Sequence, residues 1–181
     1  MRRNFRKYKR IFGNSIPEIL SNFKIRLEDW RLTVVMPVFI AIIFIYILIA
    51  ILNVKLDLFD EYTILERIRS IFITPIVEEI VFRGVFLGVF FVSVPRIMSN
   101  LLDIKMKSNA YYFFIFSGLF IQAVWFTSQH YNPNASSFYI RLFDGLIYGL
   151  LYILFRRNLL PAIMAHMTNN AAIHYLMIYF N

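Results

Sequence analysis

The stretch Ile71-Phe-Ile-Thr-Pro-Ile-Val-Glu-Glu-Ile-Val-Phe-Arg-Gly-Val-Phe-Leu-Gly-Val-Phe-Phe-Val92 reads as a membrane span, except that it carries Glu78, Glu79 and Arg83. Each ionisable group costs about 2.5 to 3.5 kcal/mol at the centre of an isolated inserted helix, so the three are tolerated only where they face protein or water. A cluster of that kind marks a functional site. On a helix Glu79 and Arg83 are i and i+4 with the acid N-terminal, the better orientation for a pair, while Glu78 projects about 100° away. One carboxylate can therefore neutralise the arginine while the other stays free for chemistry. A purely structural ion pair accounts for Glu79 and Arg83 but leaves Glu78 unexplained.

Outward from this stretch the chain is apolar throughout. Of 181 residues 59% are hydrophobic and 17% charged, with 20 Phe, a balance a soluble domain of this size could not bury. Leu32 to Leu52 is an uncharged run long enough to cross about 30 Å of hydrocarbon. Ser70 to Val94, Ala110 to Tyr131, Phe138 to Phe155 and Leu159 to Phe180 follow, each carrying polar or charged residues. The expected architecture is all-α: a polytopic membrane helical bundle of about five transmembrane helices with a polar interior. Its parts are a basic tail with an amphipathic interfacial helix (1–31), an anchoring helix and loop (32–69), and a functional bundle (70–181).

The net charge of +8 is concentrated before the first span, at Arg2, Arg3, Arg6, Lys7, Lys9, Arg10, Lys24, Arg26 and Arg31. This places the N-terminus in the cytoplasm, and threading the spans puts Arg96, Lys105, Lys107, Arg156 and Arg157 on the same side. A basic tail joined to a span is an orientation signal that attracts anionic lipid, and nucleic acid is not an expected partner. Ile16, Ile19, Leu20, Phe23 and Leu27 recur at helical spacing, with Ser15 and Glu18 in a capping-box pattern. Cysteine is absent, which excludes disulfides, thiol nucleophiles and thiolate metal sites.

Two further motifs stand downstream. Phe126-Thr-Ser-Gln-His130 places Phe126 and His130 on one helix face, and His166-Met-Thr-Asn-Asn170 does the same for His166 and Asn170. Singly, each is equally an interfacial histidine or an interhelical hydrogen bond. Together with Glu78 they fit water-dependent amide hydrolysis: Glu78 as general base, His130 orienting the water, and His166 with Asn170 donating to the carbonyl oxygen in the transition state. No cofactor is required by this scheme; two histidines and a glutamate holding zinc is the minority alternative.

In this order, Thr74-Pro-Ile-Val-Glu-Glu-Ile-Val-Phe-Arg-Gly84, Phe126-Thr-Ser-Gln-His130 and Leu159-Leu-Pro-Ala-Ile-Met-Ala-His-Met-Thr-Asn-Asn170 resemble the EExxxR, FxxxH and HxxxN motifs of the CPBP family. This family, also called Abi, comprises CAAX-processing and bacteriocin-processing intramembrane glutamic proteases. The resemblance covers about Ile71 to Tyr175. It implies a four-helix catalytic core in which Glu78 activates water, His130, His166 and Asn170 form the oxyanion hole, Glu79 and Arg83 support the site, and Phe126 packs. The substrate would be a membrane protein or peptide.

Sequence signatures of zinc, aspartyl and rhomboid-type serine intramembrane proteases are missing: no HExxH, Gly-x-Gly-Asp or Gly-x-Ser-Gly occurs. The alternative of another class is a noncatalytic membrane partner, acting in bacteriocin immunity or as a scaffold through the same polar cavity. A composition heavy in Ile, Phe, Asn and Lys points to a bacterial cell membrane, where prenylated CaaX substrates are not expected. Gly84 with Gly88, and Gly145 with Gly149, are small-xxx-small pairs suited to close packing, Arg141 and Asp144 can pair, and His174 is expected to be a packing or interfacial residue. Upright helices set a conflict of depth, because His130 falls at the outer end of its span whereas His166 lies only about 10 Å into a span that starts inside.

Overall fold

Long apolar runs with few internal breakers leave the backbone no partner but itself, and the result is helix. The computed structural model describes residues 15–27, 29–52, 63–102, 108–130 and 135–179, and contains no β-strand among the described residues. The elements are α1 (15–20), running into a tight turn at Ser21–Phe23, then α2 (31–52), α3 (64–102), α4 (Ser108–Gln129), α5 (Ala135–Leu154) and α6 (Leu160–Tyr179). The five apolar stretches of the sequence fall in order on α2 to α6. By length and composition Ile64–Asn100 and Asn109–Gln129 suffice to cross a bilayer. The chain is an all-α membrane helical bundle. The basic run Arg2 to Arg10, Lys105, Lys107 and residues 131–134 lie outside the described residues.

Helix α3 opens on a capping box: the Thr63 hydroxyl accepts from Glu66 N–H (3.3 Å) and Glu66 accepts from Thr63 N–H (2.8 Å). The helix is not uniform. Pro75 has no N–H and crowds the turn before it, and the winding just ahead widens, so that Thr74 N–H bonds Arg69 O five residues back. The wide winding returns over Ile80–Ser93, where Val94 N–H reaches Val89 O.

Two apolar clusters hold the bundle. Phe82, Phe126, Tyr148, Leu151, Ala162 and Ala165 pack with Ala41 of α2. Nearer the α5–α6 turn, Leu87, Tyr152, Leu159 and Ile163 form the second. Gly145 allows close approach of α5 to α4, since a Cβ there would sit 2.9 Å from Ala123 Cα. Large apolar side chains such as Phe113, Phe116 and Phe120 point outward, the arrangement expected of a surface solvated by lipid.

The helix expected over Ile16 to Leu27 is shorter than its periodicity. It ends at the Ser21–Phe23 turn, and its polar side faces the protein while Ile16 and Leu20 remain exposed. Glu18 Oε1 accepts from Arg96 (2.9 Å) and Arg157 (2.8 Å). Asn22, fully buried, donates to Ser93 Oγ (2.9 Å) and accepts at its carbonyl from Tyr152 OH (3.1 Å). Asn158 and Arg26 exchange two hydrogen bonds, and Leu159 N–H donates to Lys24 O (2.8 Å). Gly84 and Gly88, expected to let helices approach closely, also admit this segment, with Phe23 over Gly84 and Asn22 beside Gly88, where Tyr152 of α5 closes in as well. Residues 15–27 pack against the α5–α6 turn, and His130 and His166 sit at one level of the bundle, both rings against Phe126, so the conflict of depth does not arise.

The turn itself holds Arg156 and Arg157 at φ 55° and 65°, in the left-handed region. Of the two, Arg157 bonds Glu18 and Asn22 through its side chain. Arg156→Gly is expected to raise stability by about 1 kcal/mol, whereas Arg157→Gly lowers the melting temperature in detergent despite the same relief of backbone strain. Gly88→Ala, whose Cβ would meet Tyr152 OH at 2.3 Å and Asn22 at 2.8 Å, is expected to cost about 1 to 3 kcal/mol in the same measurement.

Candidate active site

Helices α3, α4 and α6 bring Glu78, Glu79, Arg83, Phe126, His130 and His166 together. Glu79 and Arg83 are both fully buried, with Arg83 Nη1 3.0 Å from Glu79 Oε1. The guanidinium is walled by aromatic faces, 4.8 Å from the Phe126 centroid and 5.3 Å from that of Tyr148, and its Nη2 donates to Gly145 O (3.1 Å). Phe126 is a packing residue at the centre of this group, fully buried and edge-on to Phe82.

Each histidine has one nitrogen fixed by an acceptor. His130 ends α4, and its Nδ1 donates to Phe126 O (2.8 Å), one of the carbonyls a helix end leaves unpaired. His166 Nδ1 donates to Glu79 Oε1 (2.9 Å). Because a carbonyl and an ion-paired carboxylate only accept, both rings carry a proton on Nδ1 and turn Nε2 elsewhere. Both Nε2 atoms face Glu78: His130 Nε2 is 3.4 Å from Oε1 and His166 Nε2 is 3.6 Å from Oε2. Glu78 and His130 side chains are 20% and 24% exposed, against 2% for His166, so the cluster has an open side and a closed one.

Asn170 lies one turn beyond His166, and its amide donates to Ser70 O (2.9 Å). That carbonyl is free for a reason visible in the sequence. Of the helical donors above it, Thr74 N–H is bonded to Arg69 O and Pro75 has no N–H. Asn170 supplies the partner for this part-buried carbonyl. His174, expected to be a packing or interfacial residue, is buried and bonds Ser70 Oγ through Nε2 (3.1 Å).

Several supporting residues belong to no motif. Gln122 donates to Gly145 O (2.8 Å), the carbonyl that also binds Arg83. Tyr148 stacks on His166 at 4.8 Å between centroids and 19° between planes. Asp144 accepts from Asn169 (3.0 Å), and its ion pair with Arg141 is long, at 3.8 Å. The polar character of Gln122, Asp144 and Asn169 within apolar stretches is the signal that marks them; nothing in the sequence distinguishes Tyr148 or the Gly145 carbonyl. Arg83→Met is expected to destabilise by about 3 to 5 kcal/mol, because it leaves Glu79 charged and buried. The double variant Arg83→Met with Glu79→Gln should lose less than the sum of the two single losses, read as a double-mutant cycle of thermal unfolding in detergent.

Among the described residues no three His, Asp or Glu side chains are grouped as a metal site. No curated protein and no solved structure matches the chain. The pattern of type II CAAX prenyl endopeptidase Rce1-like proteins matches residues 60–172, a span that contains Glu78, Glu79, Arg83, Phe126, His130, His166 and Asn170. With more than half of its length so matched, and with the three motifs on three helices of one bundle, the chain belongs to the type II CAAX prenyl endopeptidase Rce1-like family, within the CPBP group.

Proposed function

We propose that this chain hydrolyses a peptide bond near or within the membrane, using a water activated by Glu78. The observation that carries the reading is the convergence of His130 Nε2 and His166 Nε2 on the two oxygens of one partly exposed carboxylate. At 3.4 and 3.6 Å the two ring nitrogens lie close enough to the Glu78 oxygens that one solvent molecule on the open side can touch both Glu78 and His130. Water held between Glu78 and His130 attacks the scissile carbonyl as Glu78 takes its proton. The developing oxyanion accepts from Nε2 of His166 in its imidazolium form, whose Nδ1 is held by Glu79, and from the second N–H of Asn170. Glu78 then returns the proton to the leaving amine, completing one hydrolysis per water.

Glu79 and Arg83 hold His166 and keep charge balanced. The reaction needs no metal or other cofactor. The substrate is a membrane protein or membrane-bound peptide reaching the open side of the cluster; anionic lipid gathers at the basic N-terminal tail, which lies on the cytoplasmic side of a bacterial cell membrane. Residues 70–181 supply the reacting groups, with 32–69 as anchor.

Glu78→Gln is expected to lower turnover by about 100- to 10,000-fold and His130→Ala by a comparable factor, with membrane insertion and melting temperature retained. The measurement is a comparison of membrane-fraction peptides from cells carrying the intact chain or Glu78→Gln, which reveals products without presupposing a substrate. Full biological activity in both variants would instead identify a noncatalytic immunity or scaffold protein. Chelation should leave activity unchanged; loss on chelation with recovery on adding zinc would overturn the metal-free mechanism.

A further inference from the structure

The amide of Asn170 is held by a carbonyl that ordinary helix geometry would not leave open. Ser70 O faces away from the backbone ladder because the donor four residues on, Thr74 N–H, is drawn to Arg69 O, and position 75, five residues on, is proline. Pro75 is itself buried within the bundle. Its lack of an N–H at this one position is what Asn170 exploits 100 residues later in the chain.

We propose that Pro75 is a positioning residue for Asn170. By withholding a backbone N–H it keeps Ser70 O free to fix one amide proton of Asn170, so that the other is presented to the substrate carbonyl. The anchor also decides which way the amide faces: the group meeting an acceptor-only carbonyl must be the NH2 and not the oxygen. A non-proline residue at 75 would place a competing N–H in this turn. In the wide winding that N–H bonds Ser70 O; if the turn tightens it bonds Ile71 O and shifts the carbonyl of Ser70. Asn170 loses its anchor in both cases. The effect on turnover rests on the peptidase reading above, whereas the anchoring does not.

The test uses the full chain in lipid nanodiscs with Pro75→Ala and Pro75→Gly, which share the restored N–H but differ in helix propensity. The first readout needs no substrate: solvent-exchange protection of the Asn170 side-chain amide by NMR, assigned through its disappearance in Asn170→Asp. Protection is expected to fall about 10-fold or more in both variants, with the melting temperature of Pro75→Ala at or above that of the unmodified chain. The second readout is cleavage of the membrane-fraction substrate that the Glu78→Gln comparison identifies, for which kcat should fall about 10- to 100-fold with KM within about twofold. A gain in stability joined to a loss of kcat is a result that a merely structural proline would not give. Retained protection in both variants, or lost protection with kcat unchanged, overturns the proposal. Glu78→Gln separates the two ideas: it should abolish turnover and leave protection intact, and if it turns over normally the peptidase reading fails while the protection data still judge the anchor.

Discussion

A carboxylate and a guanidinium placed entirely out of contact with solvent, Glu79 and Arg83, set the terms for the rest of this bundle. Removing such ions from water carries an effective penalty of several kcal/mol each, and their mutual attraction repays it only when the remaining valences are met. Neighbouring helices meet part of them: Phe126 from α4, the Gly145 carbonyl and Tyr148 from α5, and His166 from α6, while Glu79 Oε2 and Arg83 Nε keep no hydrogen-bond partner among the described residues. The pair therefore specifies how four helices are arranged more than it adds net stability. Because Glu79 is occupied by Arg83 and His166, Glu78 next to it is left as the carboxylate facing the open side.

Much of this is legible in the chain itself. Five apolar runs name five helices, and ionisable groups inside them name the site, because hydrocarbon makes polar residues conspicuous in a way that water does not. The pairs Glu79–Arg83 and Phe126–His130 follow from helical spacing alone. Interactions without a side-chain signature stay hidden: the Gly145 carbonyl shared by Arg83 and Gln122, the flat stack of Tyr148 on His166, and the Ser70 carbonyl bound by Asn170. Depth escapes the sequence for a related reason. Spacing along one helix says nothing about how far another is displaced along its axis, and the common level of His130 and His166 around Phe126 shows only in the assembled bundle.

The two faces of the cluster differ in what they permit. On the closed side His166, Glu79 and Arg83 are out of contact with solvent and tied across helices, His166 to Glu79 and Arg83 to the Gly145 carbonyl. On the open side His130 is fixed by a carbonyl of its own helix, and both it and Glu78 keep some contact with the exterior. Rigid support under a partly accessible edge is the arrangement in which donors can be held ready for charge that develops only during reaction.

The docking of residues 15–27 also has a consequence for biogenesis. Asn22 meets Tyr152 across a separation of 130 residues, so at a synthesis rate of roughly 5 to 20 residues per second its partner emerges several seconds later. During that interval the polar face of the segment, with Glu18 and Asn22, has no bundle to enter and must wait at the lipid headgroups, where Ile16 and Leu20 can hold it. Closure of the molecule is thereby deferred until the last hairpin has been threaded, and an incompletely translated chain is left unlatched and open to quality-control proteases.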